Sequence, residues 1–412
     1  MTPATLLLTA LACSLQAPPQ SAPAAQRDFR LIDATDLRLP PRLSTARNGM
    51  AVQLADLDGD GDLDVVVPQE FLPNKLLRND GNRFVDVSNL LPPLDPAKMA
   101  GGPPGHDSED VAVADFNGDG RLDLIFVSED DGKLGRKDVH EYYRSNAEGG
   151  YERMLGALPD SEANTVAHAD LNGDRASDLF IGGAGQDRLL INDGAGGFRD
   201  ETSERLPREA ATAQDAEFLD IDRDGDLDLV LGLEGGQAIW INRGGGRFVD
   251  ESSTRLPPST ELVETRRVVA HDIDADGDLD LYFANVGWMG RAPQDRLLRN
   301  DGAGKFEDIT AAWLPEESDT TLDALFVDLE GDGSVELVRG NMGSLTIWAR
   351  EGDRFVPATD RYITFPIAAQ ILALAVADLD GDGLKDLYIA CLAGPNKDPK
   401  SYDRMLRGTV GK

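Results

Sequence analysis

A nine-residue acidic pattern, Asp56-Leu57-Asp58-Gly59-Asp60-Gly61-Asp62-Leu63-Asp64, returns in recognisable form from Asp115, Asp170, Asp220, Asp272, Asp328 and Asp378. Successive first aspartates lie 59, 55, 50, 52, 56 and 50 residues apart, a period that suits propeller blades and exceeds that of most helical repeats. A chain of 412 residues is also longer than a single compact core normally grows, so a ring of repeats is the natural reading.

Between the acidic loops an aromatic residue opens a short strand and is followed by Asp and then Ser or Thr, as in Phe84-Val85-Asp86-Val87-Ser88, Phe198-Arg199-Asp200-Glu201-Thr202, Phe248-Val249-Asp250-Glu251-Ser252 and Phe306-Glu307-Asp308-Ile309-Thr310. Tyr151 and Phe355 mark weaker copies. Ahead of several aromatics stand Asn79-Asp80-Gly81, Asn192-Asp193-Gly194 and Asn300-Asp301-Gly302, the residue types that hairpins use where φ must be positive. One period then reads as four strands, 50–55, 63–67, 75–78 and 84–88, the content of one antiparallel blade.

The seventh copy stops at 403–408, its third strand, whereas Phe29-Arg30-Leu31-Ile32-Asp33-Ala34-Thr35 supplies a spare aromatic strand at the other end. The expected fold is all-β, a seven-bladed propeller of four-stranded blades, closed by the N-terminal strand completing the last blade. Closure hides sheet edges that otherwise invite aggregation.

The loop pattern places oxygen-bearing side chains at positions 1, 3, 5 and 9, with glycine at position 6 where the chain turns sharply. Hard oxygen donors in that number suit Ca²⁺. The ligands expected are Asp56, Asp58, Asp60 and Asp64; Asp115, Asn117, Asp119 and Asp123; Asp170, Asn172, Asp174 and Asp178. The later loops offer Asp220, Asp222, Asp224 and Asp228; Asp272, Asp274, Asp276 and Asp280; Asp328, Glu330, Asp332 and Glu336; Asp378, Asp380, Asp382 and Asp386. Up to seven ions are expected, with the position-7 carbonyl and waters completing each shell. An EF-hand needs a bidentate Glu at position 12, yet that position holds Val67, Phe126, Ile181, Leu231, Phe283, Arg339 and Ile389. Arg175 replaces the glycine of the third loop, which marks it as the weakest site, and Glu330 and Glu336 change the geometry of the sixth without removing charge.

These repeats resemble the FG-GAP/VCBS family, which includes integrin α-subunit N-terminal propellers and the cartilage acidic protein-like group. The resemblance covers residues 28–407 and rests on motifs such as 114–124, ADFNGDGRLDL, and 298–306, LRNDGAGKF. It implies a seven-bladed propeller with calcium between first and second strands, serving adhesion or extracellular recognition. No inserted adhesion domain, C-terminal companion or catalytic domain is expected.

Residues 1–26 carry no charged side chain, and Leu6 to Ala12 form a short apolar run, the makings of an export signal. The expected division is an export signal and disordered leader at 1–25 and the propeller at 26–412. The product would be periplasmic, cell-surface or extracellular. Ala10-Leu11-Ala12-Cys13 also fits a loose lipoprotein box, which would anchor the chain at Cys13. No run approaches the ~20 apolar residues of a transmembrane helix. Cys391 follows an apolar run and is expected to be a buried thiol.

The charge of -34, from 74 acidic and 40 basic residues, argues against nucleic-acid binding, which needs clustered Lys and Arg. The expected partner is a protein or glycan on the face opposite the acidic loops, where the longer connections 91–110, 128–143, 285–291 and 392–402 fall. Trp288 with Met289 and Arg291 is either a contact residue set or the cover of a blade end. His106, His140, His168 and His271 belong to no recognised nucleophile or zinc motif; the first two are expected on solvated surface. The alternative class is a calcium-dependent carbohydrate-active enzyme such as a polysaccharide lyase. A scaffold in an envelope assembly is a further possibility that the sequence does not separate from adhesion.

Overall fold

A computed structural model describes residues 28–40, 48–94, 104–129, 137–185, 187–208, 211–259, 263–287, 293–316, 319–392 and 402–411. The expected leader, Cys13, Trp288, Met289 and Arg291 lie outside the described residues.

Seven four-stranded antiparallel sheets form the ring. Blade 1 runs Gln53–Ala55, Asp64–Val67, Lys75–Asn79 and Phe84–Asp86. The first strands of the other blades are Ser108–Ala114, Thr165–Ala169, Ala213–Leu219, Glu264–His271, Thr321–Val327 and Gln370–Ala377, and first strands of successive blades lie against one another around the axis. Tyr151 and Phe355 open fourth strands like the stronger copies.

The second strands, such as Asp64-Val65-Val66-Val67 and Asp123 to Ser128, are buried along their whole length. A strand covered on both faces has no use for alternation, which is why these read as continuous apolar runs. The core lies between blades. Val66, Leu76, Val111, Leu124, Phe126 and Tyr143 pack across blades 1 and 2, while Val65, Val67, Phe84, Ala375, Tyr388 and Met405 pack across blades 1 and 7.

Fourth strands are shorter than the sequence suggests, because the Ser or Thr after the Asp ends them. Asp86 Oδ1 accepts the Ser88 N–H at 3.0 Å, and Ser88 Oγ in turn accepts the Leu76 N–H of the third strand at 3.1 Å. Thr202, Ser252, Thr310 and Thr359 accept the matching N–H groups of Leu189, Ile239, Leu297 and Ile347. The first strand of blade 1 is likewise three residues rather than six.

Closure follows expectation. Phe29–Asp33 pairs antiparallel with Arg404–Val410, from Phe29 opposite Val410 to Asp33 opposite Leu406. Thr35 Oγ1 accepts the Met405 N–H at 3.1 Å, the same hydroxyl device that serves blades 1, 3, 4, 5 and 6.

Candidate metal centre

Each acidic loop holds itself in shape through its own carboxylates. Asp56 accepts the N–H groups of Gly59, Asp60 and Gly61, and Asp115, Asp170 and Asp328 repeat the arrangement. The position-5 aspartate of every loop accepts the position-7 N–H.

The position-9 acid sits deeper, at the start of the second strand. Asp64 Oδ2 accepts the Leu57 N–H at 2.9 Å and Oδ1 accepts the Asn79 N–H at 2.8 Å. Asn79 Nδ2 then donates to Leu379 O of blade 7 at 2.8 Å, as Asn192 does to Phe116 O and Asn300 to Ile221 O. The loop, its hairpin and the preceding blade are thereby locked together.

Positions 1, 3 and 9 converge in three loops, with acidic oxygens of Asp56, Asp58 and Asp64, of Asp220, Asp222 and Asp228, and of Asp378, Asp380 and Asp386 all within 4.8 Å of one another. In the fifth loop positions 1, 3 and 5 converge instead, through Asp272, Asp274 and Asp276. The second and third loops carry asparagine at position 3, and Asn117 Nδ2 turns to Asp123 Oδ2 at 3.2 Å. In the sixth, Glu330 is drawn to Arg361 at 2.5 Å, and no acidic trio gathers there among the described residues.

An arginine of the same blade stands at the position-3 carboxylate wherever there is one: Arg78 at Asp58, Arg255 at Asp222, Arg299 at Asp274, Arg361 at Glu330 and Arg407 at Asp380, at 2.5–4.0 Å. Even so, Asp220 Oδ1, Asp222 Oδ1, Asp274 Oδ1, Glu330 Oε2 and Asp380 Oδ1 are buried without a hydrogen-bond partner. Buried anionic oxygens in this state are costly, and a hard cation satisfies them. The residues present therefore fit calcium.

Burial pushes the position-9 carboxyls up, Asp64, Asp123, Asp178 and Asp386 to about 6 and Asp228, Asp280 and Glu336 to about 7.

Position 6 needs positive φ, as expected: Gly61 has φ 97° and Arg175 is held at 74°. Position 4 needs it too, which the sequence pattern hid because Arg223 and Ala275, at 61° and 62°, occupy it in loops four and five. Replacing Arg175 by Gly relieves a left-handed Cβ costing about 1–2 kcal/mol, partly offset by the freer unfolded chain. The expected outcome is a melting temperature about 1–2 °C higher for metal-free protein, measured by scanning calorimetry.

The axial channel is a second acidic feature that the sequence reading missed. Asp110, Asp215 and Asp323 each stand five residues before a first loop aspartate, an offset that could have revealed them. Each lies on a strand with a register shift and ties its blade to the next, accepting the N–H of Val166, Val268 and Leu374 at 2.9, 2.6 and 2.6 Å. Arg267 occupies the same offset in blade 5 and approaches Asp215, Glu217 and Asp323 at 3.3–3.5 Å. Burial alone would lower its pKa, and the surrounding carboxylates overcome that to hold it above the usual range.

Two histidines correct the sequence reading. His106 and His140 are buried, not solvated. His140 Nδ1 accepts the Ser128 N–H at 3.2 Å, Nε2 lies 2.9 Å from Ser161 Oγ, and burial pushes its pKa to about 4. His168 is driven down to about 4 in the same way. Cys391 is a buried free thiol, as expected. No helix among the described residues is long and apolar enough to cross a membrane.

The sequence matches the FG-GAP-like repeat pattern in four overlapping windows, 170–231, 220–283, 272–339 and 328–389, which together span more than half of the chain. No curated protein matches its sequence. Among solved structures, BBS1N in complex with ARL6DN shares 10% identity over 90% of this chain and 94% of that one, with a TM-score of 0.52. An Agrocybe aegerita structure described for specific recognition of non-reducing terminal N-acetylglucosamine shares 18% over 77% and 82%, with a TM-score of 0.49. The V. cholerae biofilm matrix protein Bap1 shares 12% over 88% and 77%, with a TM-score of 0.43. At such identities the BBS1N likeness speaks to the fold alone. Repeat pattern and ring together place this chain in the FG-GAP-like repeat family, as a seven-bladed β-propeller.

Proposed function

We propose that this protein is an exported binding module, with calcium in the loops holding the blade junctions and a protein or glycan partner engaging the opposite face. The uncharged leader at 1–25 supports the export part of the reading, and the family supports the module part. The observation that carries the metal assignment is the set of buried, partnerless carboxylate oxygens at positions 1 and 3, led by Asp220 Oδ1 and Asp222 Oδ1.

When bound, calcium supplies charge neutralisation and oxygen coordination, not reaction chemistry. The protein's part is to aim carboxylates inward by backbone hydrogen bonds before any ion arrives. The partner face is left to the connections that leave second strands and cross between blades, since loops on a rigid scaffold commonly carry recognition.

The test is a calcium titration of chelator-treated full chain with ion counting by mass spectrometry, repeated for the Asp220→Asn/Asp222→Asn double variant. Several ions in the parent and about one fewer in the variant are expected. An absence of bound calcium at millimolar concentration would sink the metal assignment.

A further inference from the structure

On the face opposite the acidic loops, the residue just before the third strand closes the base of the connection that leads into it. Asn74 accepts the Gln69 N–H at 3.0 Å, His140 that of Ser128 at 3.2 Å, Asp187 that of Gly183 at 3.2 Å, Asp295 that of Asn285 at 2.8 Å and Asp403 that of Cys391 at 3.0 Å. All five acceptors are buried. Asn74 works as a neutral amide, and burial keeps the His140 ring uncharged at neutral pH.

Asp295 and Asp403 do the same work with carboxyl groups, and they differ in what the next blade offers. Each also accepts a tyrosine hydroxyl from its own second strand, Tyr282 at 2.5 Å and Tyr388 at 2.6 Å. At Asp295, blade 6 adds Arg339 Nη2 at 2.8 Å and Thr321 Oγ1 at 2.7 Å. Thr321 and Arg339 stand seven residues before and eleven after the first loop aspartate, Asp328, and at those offsets from Asp56 blade 1 has Gly49 and Val67. The positions correspond in space as well, since a Cβ on Gly49 would lie 3.7 Å from Asp403 Oδ1. Tyr388 and Cys391 therefore face Asp403 from the second strand, apolar Gly49 and Val67 lie on the side of blade 1, and apolar Ile371 pairs with Cys391 from the first strand. Arg404, next along the chain, turns to Asp33 at 3.2 Å. Asp403 is 0% exposed, and no cation among the described residues pairs with it. A buried ionised carboxylate is ordinarily paired.

We propose that Asp403 is a proton-dependent lock on the blade that closes the ring: its carboxyl holds the seam while uncharged, and its ionisation loosens blade 7 ahead of the other blades. Its place in the chain gives the lock its reach. Met405, two residues on, donates its N–H to Thr35 Oγ1 and accepts the Ala34 N–H at 2.9 Å, and the ladder with Phe29–Asp33 starts at Leu406. Burial pushes the Asp403 carboxyl up to about 7, against the opposing pull of the Tyr388 and Cys391 hydrogen bonds. That value lies above the unfolded one near 4. The stability this group contributes is therefore complete below about pH 4 and is lost as pH rises through 7.

The experiment follows amide exchange of the full chain by mass spectrometry at pH 6 and pH 8, corrected for intrinsic rates, once with calcium and once with chelator. Protection of the seam segment Arg404–Val410 is expected to fall about tenfold between the two pH values in calcium, while the third strand of blade 4, Gly236–Asn242, keeps its protection. Chelator adds a second slope, because Asp386 Oδ1 accepts the Gly408 N–H at 2.9 Å and is itself raised to about 6. Asp403→Asn places here the amide that Asn74 uses in blade 1, and is expected to remove the tenfold component in both buffers. That difference between variant and parent does not depend on whether the loops take calcium. Asp295→Asn, which strands Arg339, is expected to weaken blade 5 at both pH values and to leave the slope at the seam as it was. A flat seam in the parent in calcium overturns the proposal even if the variant does not fold, and so does a variant that keeps the parent's slope.

Discussion

Removing calcium with a chelator is expected to lower the melting temperature of the propeller by on the order of 10 °C. At 1 mM free ion, a site with a dissociation constant of about 0.1 mM, within the range of extracellular modules, adds about 1.4 kcal/mol. Four such sites, the number of loops in which three acidic groups converge, give about 6 kcal/mol, and a domain of this size shifts by under 2 °C per kcal/mol. The pH dependence should change sign with metal. In the metal-free protein the position-9 carboxyls are raised to about 6–7, so the stability they contribute is complete below the unfolded value near 4 and is lost as pH rises through 6–7. Metal-free protein should therefore lose stability between pH 6 and pH 8. Calcium competes with those same protons, so the calcium-dependent gain should grow over the same interval. Calorimetric melts at pH 6 and pH 8, with calcium and with chelator, measure both slopes. Parallel slopes would mean that the position-9 carboxyls do not titrate with the metal.

Deleting residues 28–34 is expected to be the more damaging change. Phe29 and Leu31 are each 1% exposed and pack with Tyr362, Leu387 and Leu406. Phe29→Ala alone should cost about 3–5 kcal/mol and Leu31→Ala about 2–5. Deletion also strips the ladder from Arg404–Val410 and leaves an open edge strand, a template for pairing with another chain. The expected readout is a large drop in melting temperature with a shift to high-mass species in size-exclusion chromatography. A monomeric deletion variant of unchanged stability would show that blade 7 holds without its fourth strand.

The sequence made the repeat legible because the loop spends its aspartates on its own backbone. Asp56 must accept from Gly59, Asp60 and Gly61, and only short acceptors at fixed offsets do this. Blade closure was legible for a related reason: an aromatic strand at Phe29 had no loop of its own to follow. What escaped were features set by neighbours in space. Asp110, Asp215 and Asp323 look like polar residues in half-buried strands until the ring brings each beside the N–H of the next blade. His140 was misread because its burial depends on Ser128 and Ser161 folding against it.

The aspartates at that five-residue offset also count the blades in twos. They bind blade 2 to 3, blade 4 to 5 and blade 6 to 7, and seven is odd. Blade 1, with Ala51 at the corresponding position, is left over, and it is the blade flanked by the seam where the first and last strands zip together. Counted by these bonds the ring is three double panels and a single one, the single panel held to blade 7 by Asn79 instead. A pull applied between the chain ends meets the clasp first, and once that opens the load passes to the single panel on the N-terminal side and to blade 7, one half of the last doubled pair, on the C-terminal side.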